Sequence, residues 1–517
     1  MRKAILLYGG LSTLIVLLGG CGVSSKGTGV SMGRVSPTRN PQVALYSISE
    51  PAGASVHIAF GQTTAYGLTT WTQPAPASGG AVNIYVAGML QNTTYHMQAV
   101  TQLANGMQVT DADHTFKTGS INAALLPQIS TTTVAGMAPQ PGLELLDLVN
   151  PTERQVIVTD LAGNVVWTYQ YGNSGVDLPE PVKQLADGNF LIDLSPQVGT
   201  NGLFAKAAIN DIREVNLEGL TVHEFSIDDL NYRLAKNGFN LNVYTMHHDI
   251  LPLPSGHVIV LANTLKLFDS LPGYPGQLNV LGDVLIDLDE NWEPVWVWNS
   301  FDHLDVNRHP MNFPDWTHSN AVIYSSDDGN LLLSMRHQNW ILKIDYEDGR
   351  GSGNVLWRLG KDGDFKLQGG TDPTDWFYAQ HGPHFSGPST AGNFTLAIFD
   401  NGNDRQFPQG VTCGATGAPP CTYSTAMLMQ IDEVAKTATI QFNDDPIGYS
   451  VFGGNAEQLA NGDLEFDMCD VSQDPDLAVV YEVIPLLQPQ LVWQMNIQND
   501  WAYRAFRIPS LYPGVQW

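Results

Sequence analysis

The chain has 517 residues, of which 15% are charged, and its formal net charge is −27. This acidity argues against nucleic acid or an anionic membrane surface as a partner, because phosphate binding needs a basic face. The length leaves room for two domains, and the 50 glycines and 31 prolines favour a large soluble β-protein.

The first 21 residues have the pattern of an export signal. Two basic residues precede an apolar run over residues 4–18, which ends in Leu-Gly-Gly before Cys21, as a signal-peptidase site requires. The run is short for a membrane-spanning helix, which usually needs about 20 apolar residues. The segment resembles a bacterial lipobox, which predicts lipidation of Cys21 and a location at the periplasmic face of a bacterial membrane. Gly22 at the next position, in place of Asp, favours the outer membrane.

Two further segments precede the main body of the chain. Residues 22–40 are rich in glycine and serine and predict a flexible tether. Residues 41–120 contain short alternating strands, such as VALYSI and SVHIAF, and resemble a fibronectin type III-like β-sandwich, including the run LQNTTY before a strand. We expect this domain to act as a scaffold and to carry no catalysis.

Residues 121–517 carry an internal repeat. Six copies of one phrase, an apolar strand pair around an acidic turn, occur between Leu143 and Trp493, among them DVLIDLDENWEPVWVW and ILKIDYEDGRGSGNVLW. A second strand pair around a turn glycine lies between the copies. These turn glycines are Gly188, Gly256, Gly329, Gly392 and Gly462. Four strands per unit predict an all-β fold with a six-bladed β-propeller; the alternative is two unrelated β-domains with hairpins that are similar by chance.

Export would place the cysteines in an oxidising compartment, where disulfide bonds form. Cys413 and Cys421 flank a Gly/Pro loop, TCGATGAPPC, which would gain order from a disulfide bond in an oxidising compartment. Cys469, in the strand EFDMCD, has no partner left. It is predicted to be a buried, small apolar residue rather than a reactive thiol.

Thirteen histidines stand among few other cations, and three of them occupy related positions in successive repeats. His248 lies eight residues before its turn glycine, and His318 and His381 lie eleven residues before theirs. Equivalent points on neighbouring propeller blades face one axial funnel. These three imidazoles are therefore predicted to converge.

Arg336, in the segment SMRHQ, adds a permanent positive charge to this set. A guanidinium can grip two oxygens at once, and an imidazole can act as a nucleophile, an acid or a base near neutral pH. The combination predicts a site that transfers a small oxyanionic group. For any one histidine a structural role on a strand is the simpler interpretation, but recurrence on three blades favours the chemical role for the set.

In chain order, the motifs HHD, DWTHSN, SMRHQNWILKID and QH followed by AIFDNGNDR resemble the bacterial PAPS-independent arylsulfate sulfotransferase family. The resemblance covers the whole repeat region. It implies ping-pong transfer of a sulfuryl group from an aryl sulfate to a phenol through a sulfohistidine intermediate, with His381 as the nucleophile. The other residues that it implies, as catalytic or substrate-binding groups, are His248, His318, Asn320 and Arg336.

Two further imidazoles stay open as substrate-binding residues. His247 precedes His248 in the HHD motif, where the family histidine falls on His248. After QH the chain departs from the family pattern and continues Gly-Pro-His384, a stiff turn with a second imidazole. Three tryptophans near loops, Trp316, Trp340 and Trp376, could wall an aromatic acceptor, although packing between blades is the simpler interpretation.

Several motifs are absent from the sequence. There is no G-x-x-x-x-G-K-[ST] loop to hold a nucleotide donor, no H-E-x-x-H, no paired C-x-x-C and no complete G-x-S-x-G elbow. The sequence therefore predicts no cofactor and no metal. Its predicted partners are small aryl sulfates and phenols and the lipid anchor, and a homodimer is left open.

Two other functions remain open from the sequence. Imidazoles on converging blades could hold a transition metal, and Trp-rich propellers also host quinone cofactors. Alternatively, the chain is a non-catalytic surface lipoprotein whose propeller presents a binding surface and whose histidines are structural.

Overall fold

The computed structural model describes residues 32–149, 155–170, 177–196, 203, 210–414, 420–444, 448–472, 474 and 476–517. The predicted signal segment, with Cys21, lies outside these residues. Within the described ranges, no helix is long and apolar enough to cross a membrane.

The N-terminal part consists of two small antiparallel sheets. Its strands are β1 (Arg34–Pro37), β2 (Ala44–Glu50), β3 (Ser55–Gly61), β4 (Leu68–Thr69), β5 (Gln73–Pro74), β6 (Gly80–Val86), β7 (Thr94–Gln102), β8 (Gln108–Thr110) and β9 (His114–Lys117). One sheet has the order β1-β2-β6, and the other is built on β3 and β7, which pair with the remaining strands. Burial alternates along β2 and β7, so each sheet has one apolar face that packs inward.

Strand β1 corrects one predicted boundary. Residues 34–37 pair with β2, so the first small sheet begins inside the segment 22–40 that was predicted to be a flexible tether. The Asp111 carboxylate helps to hold this segment, because it accepts hydrogen bonds from the Gly33 backbone N–H at 2.9 Å and from the Tyr46 hydroxyl at 2.6 Å.

The rest of the described chain forms six larger sheets. Their strands are β10 (Gln128–Thr133), β11 (Leu143–Leu148), β12 (Gln155–Thr159), β13 (Val165–Tyr169), β14 (Asp177–Gln184), β15 (Phe190–Pro196), β16 (Asp211–Val215), β17 (Thr221–Ser226), β18 (Thr245–Pro252), β19 (Val258–Phe268), β20 (Leu278–Leu288), β21 (Pro294–Asn299), β22 (Ser319–Ser325), β23 (Asn330–Met335), β24 (Trp340–Ile344), β25 (Val355–Leu359), β26 (Lys366–Gln368), β27 (His381–Thr390), β28 (Asn393–Asp400), β29 (Thr425–Asp432), β30 (Thr437–Asn443), β31 (Ala456–Gln458), β32 (Leu464–Met468), β33 (Leu477–Ile484), β34 (Gln490–Gln498) and β35 (Ala502–Ile508).

Each larger sheet is a four-stranded antiparallel unit, as the sequence repeat predicts. The first sheet has the order β35-β11-β12-β13, so the last strand of the chain completes it. The second, third and fourth sheets are β14 to β17, β18 to β21 and β22 to β25. The fifth is β27 to β30 with β26 added in parallel beside β30, and the sixth is β31 to β34 with β10 added beside β34. The all-β prediction is confirmed.

The sheets contact one another in chain order through one edge strand of each, here called the leading strand. The leading strands are β35, β14, β18, β22, β27 and β31. Each leading strand from β35 to β31 contacts the next, and β35 also contacts β32 of the sixth sheet. The series of contacts therefore returns to the sheet from which it started.

Packing between sheets produces strands that are buried on both faces. All residues of β23 and β24 are buried, with Leu331 and Leu333 against the third sheet and Leu332 and Ile341 against the fifth. The predicted turn glycines have φ between 70° and 93°, values that favour glycine at these hairpin bends.

Helices are few within the described residues. Helix α1 (Ile227–Lys236) starts with a capping box between Ser226 and Asp229 and buries Leu230 and Leu234. Helix α2 (Ser300–His303) is a single turn, and short 3-10 turns occupy Ala123–Leu125, Arg336–Gln338 and Glu347–Gly349.

Both cysteine predictions agree with the structure. Cys413 and Cys421 form the predicted disulfide bond, which closes the loop between β28 and β29. Cys469 is fully buried and has a free thiol.

Candidate active site

A cavity of about 600 Å³ lies where the leading strands begin. His248, His318, His337 and His381 line it together with Arg336. Further lining groups are the carboxylates of Glu180 and Asp315 and the apolar side chains of Phe313, Phe452, Trp501 and Tyr503. The cavity thus brings together the three histidines and the arginine that the sequence predicts to be catalytic.

A second cleft of about 690 Å³ lies between the small sheets and the second sheet. It contains Arg39 and Arg213 but no histidine within its described lining. The Arg213 guanidinium lies 2.5 Å from the Glu224 carboxylate, so its charge is already neutralised. The side-chain chemistry therefore favours the histidine-lined cavity as the candidate active site, although the second cleft is slightly larger.

Backbone irregularities place the site histidines at the cavity. The pairing of β18 with β19 shifts register around His248, and the pairing of β27 with β28 shifts directly after His381. The φ angle is 64° at His248 and 45° at His318, which precedes β22. Residues other than glycine rarely adopt these values, and both bulges and such residues redirect side chains at functional sites.

The ring of His381 is held through Nδ1. That atom lies 2.7 Å from Oδ1 of Asn401 and 3.1 Å from the carbonyl oxygen of Ala379. The Asn401 amide is fixed in turn, because its Nδ2 donates to the carbonyl oxygens of Ser450 and Gly453. Since both neighbours of Nδ1 are acceptors, Nδ1 carries the ring proton and Nε2 keeps its lone pair.

His248 is held through Nδ1 by its neighbour in the chain. The Nδ1 atoms of His247 and His248 are 2.9 Å apart, so one of them donates to the other. Nε2 of His247 lies 3.3 Å from a carboxylate oxygen of Asp283, which favours a proton on that nitrogen. His247 then accepts at Nδ1, and His248 donates there and keeps the lone pair on its own Nε2.

His318 repeats this arrangement with a carboxylate. Its Nδ1 donates to Asp315, and its ring stacks on His337 with ring centres 4.5 Å apart. The His318 ring also meets the edge of His248 at 4.8 Å between ring centres. Burial would raise the pKa of Asp315, but His318 and His337 outweigh it and hold that pKa below its usual range.

Arg336 is buried beside these rings. Its Nη1 donates to Nε2 of His337 at 2.7 Å and its Nη2 to the carbonyl oxygen of Val451 at 3.1 Å. Within the described part of the chain, its Nε has no hydrogen-bond partner. A buried guanidinium with unused donor capacity is suited to a bound oxyanion.

Burial lowers the pKa of three imidazoles in the cavity, those of His248, His337 and His381. It lowers the pKa of His381 well below its usual range, and Arg336 lowers it further, while the hydrogen bond to Asn401 opposes the shift. Burial and the neighbouring His318 likewise lower the pKa of His248. The pKa of His337 falls to about 3, mainly through burial. At neutral pH the Nε2 lone pairs of His248 and His381 are therefore available for proton transfer or nucleophilic attack, whereas both ring nitrogens of His337 are engaged.

Three predicted substrate-binding residues lie outside the cavity lining. His247 is buried behind His248, as described above. Asn320 is buried on β22, where its Nδ2 donates to the carbonyl oxygen of Gln380 at 2.7 Å. His384 lies farther along β27, with Nδ1 near the carbonyl oxygens of Gly382 and Ala456 and its ring against Phe506. These positions indicate support of the backbone rather than contact with a ligand in the cavity.

Several lining residues were not singled out in the sequence. Glu180 lies eight residues before Gly188, the same spacing that picks out His248, so the repeat could have identified it. Phe452, Trp501 and Tyr503 form the apolar side of the cavity, whereas Trp316, Trp340 and Trp376 are almost fully buried and pack in the core. Asn401 lies within the motif AIFDNGNDR, but no spacing rule shows that it meets His381.

One group in the described residues has the composition of a metal site. Single ligand atoms of Asp315, His318 and His337 lie within 4.8 Å of one another. However, Nδ1 of His318 is bound to Asp315, and both ring nitrogens of His337 already have partners, Nδ1 at the Asp315 carbonyl and Nε2 at Arg336. The positive guanidinium at this position also opposes a metal cation, so the three residues fit a hydrogen-bond network better than a ligand set.

The chain is an all-β protein whose cavity is rich in imidazoles and also contains a guanidinium. The sequence model of the family Arylsulfotransferase (ASST) matches residues 127–504, nearly all of the six larger sheets. The chain belongs to this family, which is a family of enzymes, and membership implies arylsulfate sulfotransferase activity. The family predicted from the motifs is confirmed.

Other comparisons add little. No curated protein matches the sequence. Among solved structures, a candidate 6-phosphogluconolactonase from Bacteroides fragilis is 10% identical, with 88% of this chain and 98% of that chain covered and a TM-score of 0.36. A mutant of the apocarotenoid oxygenase from Synechocystis is 11% identical, with 89% and 80% covered and a TM-score of 0.29. Similarity at this level defines neither a fold nor a function.

Proposed function

We propose that this protein transfers a sulfuryl group from an aryl sulfate to a phenol in two steps, through a sulfohistidine at His381. The observation that carries the proposal is the fixed tautomer of His381, whose Nδ1 faces two acceptors. Its Nε2 lone pair is therefore available in a cavity that also contains Arg336.

In the first step, Nε2 of His381 attacks the sulfur atom of the donor. The N–S bond forms, the bond between sulfur and the aryl oxygen breaks, and its electron pair leaves on the phenolate. The guanidinium of Arg336 donates to the sulfuryl and phenolate oxygens, where negative charge is held in the transition state, and the rings of His248 and His318 flank these oxygens. Asn320 and His247 support this set from behind.

In the second step, a phenol replaces the departed product. Its oxygen attacks the sulfur of the sulfohistidine, the N–S bond breaks, and the electron pair returns to Nε2 of His381. The phenol proton passes to Nε2 of His248, whose lone pair is available because its Nδ1 is already engaged. No cofactor or metal is needed for either step.

We infer that residues 121–517 form a six-bladed β-propeller and residues 41–120 a fibronectin type III-like sandwich. The six antiparallel sheets, the closed series of contacts between leading strands and the completion of the first sheet by β35 support the propeller. In this architecture the cavity is the axial funnel.

We also propose that Cys21 carries a lipid and holds the protein at the periplasmic face of a bacterial membrane, with small aryl sulfates and phenols as its partners there. The lipobox and the disulfide bond support this location. Labelling with a radioactive fatty acid and membrane fractionation, compared between the native chain and Cys21→Ser, would test it; an unlabelled native chain in the soluble fraction would contradict it.

The function is tested by release of para-nitrophenol from para-nitrophenyl sulfate, measured with and without added phenol. We expect phenol to accelerate release by the native protein and His381→Asn to lose at least about 1000-fold, because the nucleophile is gone. His384→Asn is the matched control, because it replaces another imidazole of β27 outside the cavity lining, and it should keep most of the activity. A fully active His381→Asn variant would exclude the sulfohistidine.

A further inference from the structure

Glu180 occupies a position in the second sheet that matches those of the site histidines. It lies on the leading strand β14, whose pairing with β15 shifts register between Pro179 and Val182. His248 lies at such a shift on β18, and His381 borders one on β27. The Glu180 side chain lines the same cavity, and the residue is only 5% exposed.

The cavity has two chemically different sides. The third, fourth and fifth sheets supply the imidazoles and Arg336. The sixth, first and second sheets supply Phe452, Trp501, Tyr503, Leu178 and Glu180. A donor or acceptor whose reacting oxygen lies among the imidazoles therefore extends its ring and ring substituent toward the aromatic side and Glu180.

The Glu180 carboxylate accepts a hydrogen bond from within the second sheet. The Ser195 hydroxyl donates to its Oε1 at 2.8 Å. Burial, and then the charge of Glu180, raise the pKa of the neighbouring Asp193 carboxyl well above its usual range, so Asp193 stays protonated and does not compete for a cation. Asp315, the other carboxylate in the described lining, is engaged by His318.

Resting on the proposed function, we propose that Glu180 selects acceptors: the preferred phenols carry an ammonium group on a short side chain opposite the hydroxyl. The phenol oxygen then lies at His381, the ring lies against Phe452, Trp501 and Tyr503, and the ammonium group pairs with Glu180. An almost fully buried carboxylate attracts a cation more strongly than one in water, and aromatic faces add to the attraction. The same charge repels phenols with an anionic side chain.

Three phenols of nearly equal size test this inference: tyramine, para-ethylphenol and para-hydroxyphenylacetate, with a cationic, a neutral and an anionic substituent. With para-nitrophenyl sulfate as donor, kcat/KM is measured for each phenol as the acceptor, from the rate at which its sulfated product forms. We expect the native protein to prefer tyramine over para-ethylphenol by about tenfold, which corresponds to about 1.4 kcal/mol, and to disfavour para-hydroxyphenylacetate. In Glu180→Gln all three values should become similar, while that for para-ethylphenol stays within about twofold of the native value.

Asp193→Asn is the matched control, since it alters a neighbouring carboxyl of the same sheet outside the cavity lining, and it should keep the tyramine preference. The inference is overturned if the native protein shows no preference, if Glu180→Gln keeps it, or if that variant loses transfer to para-ethylphenol as well. Failure of the native protein to sulfate any of the three phenols would instead contradict the proposed function.

Discussion

Three imidazoles of the cavity share one arrangement at the level of single atoms. His248, His318 and His381 each engage Nδ1 with a neighbouring group: the His247 ring, the Asp315 carboxylate and the Asn401 amide. In each ring Nδ1 is therefore the donor, and in His248 and His381 Nε2 keeps the lone pair. Convergence of histidines alone would not achieve this, because a neutral imidazole can place its proton on either nitrogen.

The first prediction concerns Asn401. In Asn401→Ala the Nδ1 proton of His381 loses its shorter hydrogen bond. The ring also loses the partner that would stabilise the positive charge it gains when it accepts the sulfuryl group. A hydrogen bond to a charged group is worth about 1.5–3 kcal/mol, so we expect kcat to fall about 10- to 100-fold. Asn393→Ala is the control, because Asn393 is an exposed asparagine at the start of β28, the strand that Asn401 follows. Unchanged kcat in Asn401→Ala would show that His381 needs no orienting partner.

The second prediction concerns the pH dependence of donor cleavage. An imidazole with the ordinary pKa of about 6.5 would be mostly protonated at pH 5 and would slow nucleophilic attack about 30-fold. Because burial and Arg336 lower the pKa of His381 well below that value, its lone pair persists at pH 5. We expect the single-turnover release of para-nitrophenol to change by less than about threefold between pH 7.5 and pH 5. A fall of about 30-fold with a midpoint near 6.5 would contradict the assigned environment.

The sequence predicted which histidines line the cavity better than it predicted the groups that hold them. His248, His318 and His381 could be found because one residue type recurs at a nearly constant distance from the turn glycines. Asn320, implied by the family motif, and His384, which departs from the family pattern, were predicted to bind substrate, but their side chains bond to the backbone outside the cavity lining. A motif records which residues are present, whereas the direction of a side chain on a bulged strand depends on pairing with its neighbour.

At the level of elements, the same irregularity recurs on several leading strands. Register shifts occur on β14, β18, β22 and β27, and the pairing of β35 with β11 shifts near Tyr503. The repeat in the sequence predicted the four-stranded sheets because each strand is apolar and each turn is marked by glycine or acidic residues. It did not predict the bulges, because one extra residue in a strand leaves no distinct signal in alternation.

The third prediction concerns the junction of the first and sixth sheets. Arg507 of β35 is buried and contacts Glu144 of β11, Glu465 of β32 at 2.7 Å and Glu482 of β33 at 3.0 Å. In Arg507→Met these carboxylates lose their shared partner. Removal of one partner from a buried ion pair costs about 3–5 kcal/mol, so we expect a loss of this size in the free energy of unfolding.

Urea titration followed by tryptophan fluorescence measures this loss. Arg350→Met is the control, because Arg350 is exposed and its contact with Asp348, at 3.8 Å, is at the surface. That substitution should change stability by less than about 0.5 kcal/mol. Equal effects of the two substitutions would mean that the Arg507 cluster does not hold the sheets together.

At the level of the whole molecule, the end of the chain joins its two parts. After β35, Tyr512 donates from its hydroxyl to the carbonyl oxygen of Tyr85, and the Trp517 indole donates to that of Thr69. The rings of Phe60 and Trp517 also meet, with centres 5.8 Å apart. The small sheets therefore share one apolar core with the first and second larger sheets. The sequence predicted the N-terminal sheets to be a scaffold separate from the larger sheets. Alternation along a strand shows that one face is apolar, but it does not show which part of the molecule covers that face.

The last prediction concerns stability and pH. Asp467 of β32 is fully buried, and neither carboxyl oxygen has a hydrogen-bond partner within the described residues. Burial, and then the charges of Asp147 and Glu144, raise its pKa well above the usual range. The folded protein therefore keeps a proton on Asp467 that the unfolded chain releases above about pH 4. Where the folded state binds the extra proton, stability falls as pH rises, by about 1.4 kcal/mol per pH unit for one group.

Asp467→Asn isolates this contribution, because an amide is neutral in both states. We expect the free energy of unfolding of the native protein to decrease relative to that of the variant by about 1.4 kcal/mol per unit between pH 5 and pH 7. The depressed histidine pKa values act in the opposite direction over this range, but they are common to both proteins and cancel in the difference. Asp362→Asn, which removes an exposed carboxylate, should run parallel to the native protein. Parallel curves for Asp467→Asn as well would mean that Asp467 is ionised in the folded state, and that water or a cation reaches it between the sheets.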